Sequence, residues 1–226
     1  MNCSCDSCYL KDLLYTSIED TAVEGFCNAR YEKFIPAGIQ FVEEGKEIKN
    51  FKYLKSGLTK IHRKLNNGNE QIISFARPKD FVSIQNVFSE KKYNYSVTAL
   101  EDSVICIFPI DTINELILQD GNFAQKILQS TNHASNLILY NSLDLLSKSM
   151  YGKIATVLLF FQDKVYHSDS FELPVSRKEI AQYTGLSIET VIRVISEFRK
   201  DKIIKVYGKT IEVLNKQYLI SVLDHS

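Results

Sequence analysis

Two groups of residues carry spacing that could do chemistry. The first lies in LPVSRKEIAQYTGLSIETVIRVISEFRKDKIIKVYGKTIEV, residues 173–213. Glu189, Ile192 and Arg193 fall on one helical face there, at i, i+3 and i+4. An arginine can make a bidentate contact to guanine, a glutamate can accept from the amino group of cytosine, and an apolar side chain can meet a thymine methyl. The second group is Cys3, Cys5 and Cys8, packed into six residues, with Cys27 and Cys106 further along. Grouped thiols suit a metal or redox chemistry.

The elements that must position the first group can be read locally. Ser176 followed three residues later by Glu179 is a capping-box pattern, which predicts a helix starting at Arg177. Gly185 stands in a short connection, and Ser187 has the residue type and place to cap a second helix. Val191, Val194, Ile195 and Phe198 form one buried stripe on that second helix, which turns Glu189, Ile192, Arg193 and Ser196 outward. The two β-rich runs about Gly208 predict a hairpin wing. Ser176, Arg177, Ser187, Thr190 and the wing residue Lys209 are candidates for phosphate contacts, which position a protein on DNA without specifying sequence.

Charge agrees with this locally. The whole chain of 226 residues balances 27 basic against 27 acidic residues, whereas residues 172–216 hold nine Lys or Arg and six Asp or Glu. That net of +3 has the sign a phosphate-binding end needs. No apolar run approaches the ~20 residues that span a bilayer. The first residues lack the basic start and apolar core of a signal peptide, so a cytoplasmic protein with reduced cysteines is expected.

Upstream, the pattern changes. From about Arg30 to Phe108, short β-runs alternate with glycines at 38, 45, 57 and 68, and Asn67-Gly68 marks a hairpin. From Ile110 to Ser149 the pattern is helical. Ile127, Thr131, Ala134, Ile138, Asn141 and Leu145 alternate spacings of four and three, the seam of a two-stranded coiled coil, with Asn141 as its single polar register device. A second reading, compatible with the first because it uses a different face, packs the helix on its own β-domain through Leu128 and Leu137. KIATVLLFFQDKVYH then predicts an apolar helix in the core of the C-terminal part.

The stretch ELPVSRKEIAQYTGLSIETVIRVISEF resembles the DNA-binding domain of the Crp/Fnr transcriptional regulators. Their E-x-x-[S/G]-R signature reads here Glu189, Thr190, Val191, Ile192, Arg193, with Ile192 in place of Ser or Gly. FKYLKSGLTKIHRKL, the following hairpin and FARPKDFV resemble the same family's cyclic-nucleotide-binding jelly roll. The resemblance implies an α+β chain in four parts. These are an N-terminal Cys-containing helical segment over 1–29, a cupin-like β jelly roll over 30–109, a dimerisation helix region over 110–149 and a winged helix-turn-helix domain over 150–226. It further implies a homodimer on a near-palindromic double-stranded DNA operator, with RNA polymerase as a partner and no membrane attachment.

The effector is less determined. Cyclic-AMP-binding relatives carry a Gly-Glu pair after the xDF strand and an Arg-Ser pair later. Here those places read Ser83-Ile84-Gln85 and Lys92 to Ser96, so cAMP is not expected. Fnr-type members hold a [4Fe–4S] cluster on three N-terminal cysteines and one in the late jelly roll. Val104 to Pro109 resembles that last segment, which nominates Cys3, Cys5, Cys8 and Cys106, although C-x-C-x2-C is tighter than the branch's spacing. Zinc, simple oxidation, an unknown small ligand, and haem at His62 or His133 are the alternatives, as is a jelly roll that senses nothing and leaves an effector-independent DNA-binding protein. His62 is the only histidine in the β-region, so a cupin-type enzyme is not expected.

Overall fold

The structure is a computed structural model that describes residues 30–82 and 88–223. It divides into two compact units, Met1–Arg63 with Ser74–Ile138, and Lys64–Ile73 with Leu139–Ser226. Cys3, Cys5, Cys8 and Cys27, the expected N-terminal helix and Ser83-Ile84-Gln85 lie outside the described residues.

Among the described residues, seven strands make the β-domain: β1 Tyr31–Ile35, β2 Gln40–Val42, β3 Asn50–Ser56, β4 Thr59–Lys64, β5 Glu70–Ala76, β6 Ser96–Ala99 and β7 Ser103–Pro109. They form two sheets, ordered β1-β7-β3 and β2-β6-β4-β5. Gly68, at positive φ, sits in the β4–β5 hairpin where Asn67-Gly68 marked a turn, and Asn67 Oδ1 accepts from the Asn69 N–H at 3.0 Å. Because β-strand side chains alternate, Phe51 and Tyr53 of β3 share a face with Cys106 and Phe108 of β7. That face is covered by two helices, α1 Ile110–Gln119 and α2 Gly121–Ser147. Asp120 divides them, its Oδ1 accepting from the Asn122 and Phe123 N–H groups. Ile113, Leu116, Phe123 and Ile127 complete the cluster under the helices.

Residues of the expected seam already take part in packing within the protomer. Ile127 is buried in the core of its own unit, and Ala134 is packed against the same cluster. Thr131 and Ile138 are half-buried on this face, Leu145 is buried, and Asn141 is exposed. Leu128 and Leu137, which the other reading set against the β-domain, are instead 63% and 44% exposed. The face carrying Ile127 is the one turned inward. An exposed apolar stripe of Leu128, Leu139, Leu143 and Leu146 lies about 100° around the helix, one residue further along.

The C-terminal part starts with α3 Met150–Phe160, capped by the Ser149 hydroxyl, and runs into a π-helical turn over Phe161–Tyr166. The expected apolar helix therefore ends in a wider turn, closed by His167 in the left-handed region. Next come β8 Ser170–Glu172, α4 Arg177–Thr184, α5 Ile188–Lys200, β9 Ile204–Tyr207, β10 Thr210–Val213 and α6 Lys216–Ser221. The wing is a three-stranded sheet, β8-β10-β9, rather than a lone hairpin. Among the described residues no helix is long and apolar enough to cross a membrane.

Candidate nucleic-acid interface

The helix pair folds where local chemistry dictates. Ser176 Oγ accepts from the Glu179 N–H at 3.2 Å, and Glu179 Oε2 accepts from the Ser176 N–H at 2.8 Å, a complete capping box. Gly185 closes α4 at φ +71°, a left-handed conformation that costs glycine nothing sterically, and its N–H reaches the Ala181 carbonyl. Ser187 caps α5 by accepting from the Thr190 N–H at 3.2 Å. Val191, Val194, Ile195 and Phe198 are all buried, and α5 packs on α4, α3 and β9. Burial of that stripe leaves the opposite face no choice but to point outward.

Glu189, Ile192, Arg193 and Ser196 accordingly stand exposed together on one face of α5, with Ile192 50% exposed. The Glu189 carboxyl is held below the usual range by its own backbone N–H and by the Ser187 hydroxyl, so it is an acceptor at neutral pH. Ser196 Oγ is turned back to the Ile192 carbonyl at 2.8 Å.

The five phosphate candidates are placed less uniformly. Ser176 spends its hydroxyl on the capping box, donating to Glu179 Oε2 at 2.9 Å. Ser187 and Thr190 share a hydroxyl pair at 3.2 Å on the first turn of α5. Arg177 is partly buried, and desolvation lowers its pKa. Lys209, at the β9–β10 turn, is 80% exposed, with Glu172 at 4.0 Å. Such an exposed pair is worth little and leaves the ammonium mobile.

Sequence reading missed the surroundings of Arg193. Its Nη1 donates to Glu197 Oε1 at 3.2 Å and its Nη2 lies 3.0 Å from the Met150 sulfur. Glu197 Oε2 accepts from the Tyr151 hydroxyl at 2.6 Å. The i, i+4 spacing of Arg193 and Glu197 was a usable signal, whereas nothing local pointed to Tyr151.

In the β-domain, Cys106 is 1% exposed, and its thiol donates to Glu32 Oε1 at 3.9 Å. A cluster ligand is a thiolate. Glu32 Oε1 also pairs with Lys55 Nζ at 2.6 Å. Among the described residues no three His, Cys, Asp or Glu come together as a metal site, and Cys3, Cys5 and Cys8, nominated with Cys106, lie outside those residues. His62 is buried and bonded to Thr98 Oγ1 at 2.8 Å, a satisfied core histidine, and His133 is exposed on α2. In the Lys92 to Ser96 stretch, Lys92 is exposed while Tyr93 and Tyr95 are buried. The Tyr93 hydroxyl accepts from Lys52 Nζ at 2.8 Å.

Comparison with known proteins places these parts. Residues 32–120 match the cyclic nucleotide-binding domain family, and residues 152–222 match the Crp-like helix-turn-helix domain. The transcriptional activator protein Anr of Pseudomonas protegens is 29% identical over 166 residues, covering 72% of this chain and 68% of that protein. The fumarate and nitrate reduction regulatory protein of Yersinia pestis is 28% identical over 192 residues, covering 83% and 76%. The solved structure of FixK2 from Bradyrhizobium japonicum has the same fold, with TM-score 0.76 at 22% identity over 85% of this chain and 96% of that one. A Crp/Fnr-family regulator from Eubacterium rectale gives TM-score 0.79 at 14% identity, over 94% and 98%. The cyclic nucleotide-binding domain and the helix-turn-helix domain occur together in one chain, and the chain belongs to the Crp/Fnr family of DNA-binding transcriptional regulators, which are not enzymes.

Proposed function

We propose that the protein is a cytoplasmic, homodimeric regulator that reads a near-palindromic operator through Glu189, Ile192 and Arg193 and answers a signal other than cAMP in its N-terminal domain. The observation that carries the reading is the exposed Glu189-Ile192-Arg193 face on a helix whose opposite face is fully buried. Arg193 takes a guanine edge, Glu189 a cytosine amino group, and Ile192 a thymine methyl. Ser187, Thr190, Arg177 and Lys209 supply phosphate contacts, while the Ser176 side chain is left to its cap. RNA polymerase is the downstream partner.

Dimerisation uses the exposed stripe of Leu128, Leu139, Leu143 and Leu146, with Asn132 and Ser135 on the same face. Spacings of four and three along that stripe suit a parallel pair of helices. A two-fold dimer then presents two α5 helices to successive major grooves.

The absence of cAMP from this scheme rests on residue types. Where cyclic-AMP-binding relatives carry Arg-Ser, this chain carries buried Tyr93 and Tyr95. The fork that neutralises a cyclic phosphate is missing from that stretch.

DNA reading is tested by fluorescence anisotropy on a duplex enriched from a random library by the full-length protein. Arg193→Ala is expected to lose discrimination by about 1–3 kcal/mol per half-site. Lys209→Ala is expected to weaken specific and random duplexes alike and to flatten the salt dependence by a slope of about one. Equal losses on both duplexes for Arg193→Ala would sink the base-contact assignment. Anaerobic purification with iron and sulfide analysis tests the input. An iron-free protein that still binds DNA removes the cluster, and an oxygen-labile brown one restores it.

A further inference from the structure

We propose that Tyr151 and Glu197 are positioning residues for DNA reading, forming a relay that fixes the Arg193 guanidinium before it meets a base; the inference rests on Arg193 being a base-reading residue. The relay runs Tyr151 Oη to Glu197 Oε2 at 2.6 Å, then Glu197 Oε1 to Arg193 Nη1 at 3.2 Å. Met150 Sδ, 3.0 Å from Nη2, closes the far side of the fork. Each carboxylate oxygen is committed to one partner, so Glu197 cannot swing without breaking a short hydrogen bond.

The anchor is firm. Tyr151 stands in the first turn of α3, and its ring packs on Phe198 with centroids 6.0 Å apart. Phe198 is 1% exposed, in the middle of the buried stripe of α5. A tyrosine has two side-chain torsions, and with its ring held by a core residue its hydroxyl is a fixed donor. Arginine has several, and a free guanidinium must lose that freedom on binding. Ordering it beforehand moves that cost from the DNA complex to the folded protein. Nη1 donates to Glu197 and Nη2 to the Met150 sulfur, which leaves three of its five N–H donors for guanine.

Electrostatics make Glu197 otherwise hard to account for. A carboxylate on a helix that approaches phosphates repels them. The Tyr151 hydroxyl, then Arg193, hold the Glu197 carboxyl below its usual range, and Glu197 in turn pushes the Tyr151 phenol up. The acid is therefore ionised and the phenol protonated at neutral pH, the states the relay needs. Its cost to general DNA affinity and its benefit to discrimination have opposite signs, which makes it separable by experiment.

The test uses the full-length protein, the library-enriched duplex, its single-base-pair substitutions and a random duplex. Arg193→Ala first identifies the base pair at which discrimination is lost. Tyr151→Phe is expected to lower discrimination at that base pair about three- to tenfold, with random-duplex affinity unchanged. Glu197→Gln should lower discrimination similarly while binding the random duplex as tightly as the parent or tighter. In the Arg193→Ala background, Tyr151→Phe should remove nothing more. Full discrimination in both single variants overturns the relay, as does an equal loss from Tyr151→Phe with and without Arg193, which would mark a merely structural tyrosine. If Arg193→Ala itself leaves discrimination intact, the base-reading assignment fails first, and that result is distinct from a failure of the relay alone.

Discussion

Leu139→Glu separates the exposed stripe of α2 from the seam expected by heptad counting. Leu128, Leu139, Leu143 and Leu146 are 63%, 53%, 52% and 77% exposed. Fully burying a leucine is worth ~1.5–3 kcal/mol, so covering what these side chains still show gives about 1–2 kcal/mol each. In a two-fold dimer each counts twice. Leu139→Glu thus removes about 2–4 kcal/mol of burial. It also sets two carboxylates against each other across the axis. Together these should weaken dimerisation by at least two to three powers of ten. Light scattering after size exclusion should show a dimer for the parent and a monomer for Leu139→Glu at micromolar concentration. Operator affinity should fall with it, since one recognition helix then binds alone. Asn141→Ala, about 160° around the helix from Leu139, should leave the dimer intact. A Leu139→Glu chain that stays dimeric, or a dimer lost on Asn141→Ala, would refute the reasoning.

Two further predictions concern stability. Lys202 occupies the left-handed region at φ +57°, with its N–H on the Arg199 carbonyl and the Ile203 N–H on the Phe198 carbonyl at 2.8 Å, a Schellman ending that usually takes glycine. A left-handed side chain costs ~1–2 kcal/mol and glycine's extra backbone freedom returns part of it, so Lys202→Gly should stabilise by about 0.5–1 kcal/mol. A lower melting temperature for that variant would contradict the assignment. Lys52, largely buried, has its pKa lowered by desolvation to about 8. The folded chain then binds fewer protons than the unfolded one between about 8 and 10.5, so stability rises with pH through that window and the penalty is complete below it. Lys52→Met keeps the stem, and the Tyr93 hydroxyl still has the Asn50 carbonyl at 3.2 Å. Its thermal stability should exceed the parent's at pH 7 by about 1–3 kcal/mol and converge with it above pH 10.5. A pH-independent difference would remove burial of the charge as the cause.

What was legible in the sequence was what local rules decide. Ser176, Glu179 and Ser187 are caps wherever such helices start, and the Val191 to Phe198 stripe fixes the outward face with no knowledge of tertiary structure. Helix α2 shows the limit. It carries two apolar stripes about 100° apart, one through Ile127 and one through Leu139. Heptad counting finds both, and only the position of Phe51 and Phe108 opposite the first reveals which is already used. Strand β8 is three residues long, too short for alternation to register, and it is defined by pairing with β10, far along the chain. Tyr151 and Glu197 are likewise a non-local pair.

Ile192 brings these scales together. The family signature has a small residue at that place, and the Val191 to Phe198 stripe turns whatever stands there into solvent. A half-exposed isoleucine leaves half of its apolar surface in water. Ile188, 39% exposed one turn earlier, extends the same apolar strip alongside Glu189 and Arg193. Apolar surface left in water is recovered only when another surface covers it, and in a major groove the groups able to do so are thymine methyls. If Glu189 and Arg193 read bases as proposed, the departure from the signature predicts an operator whose inner base pairs differ from those read by a Ser or Gly at this position.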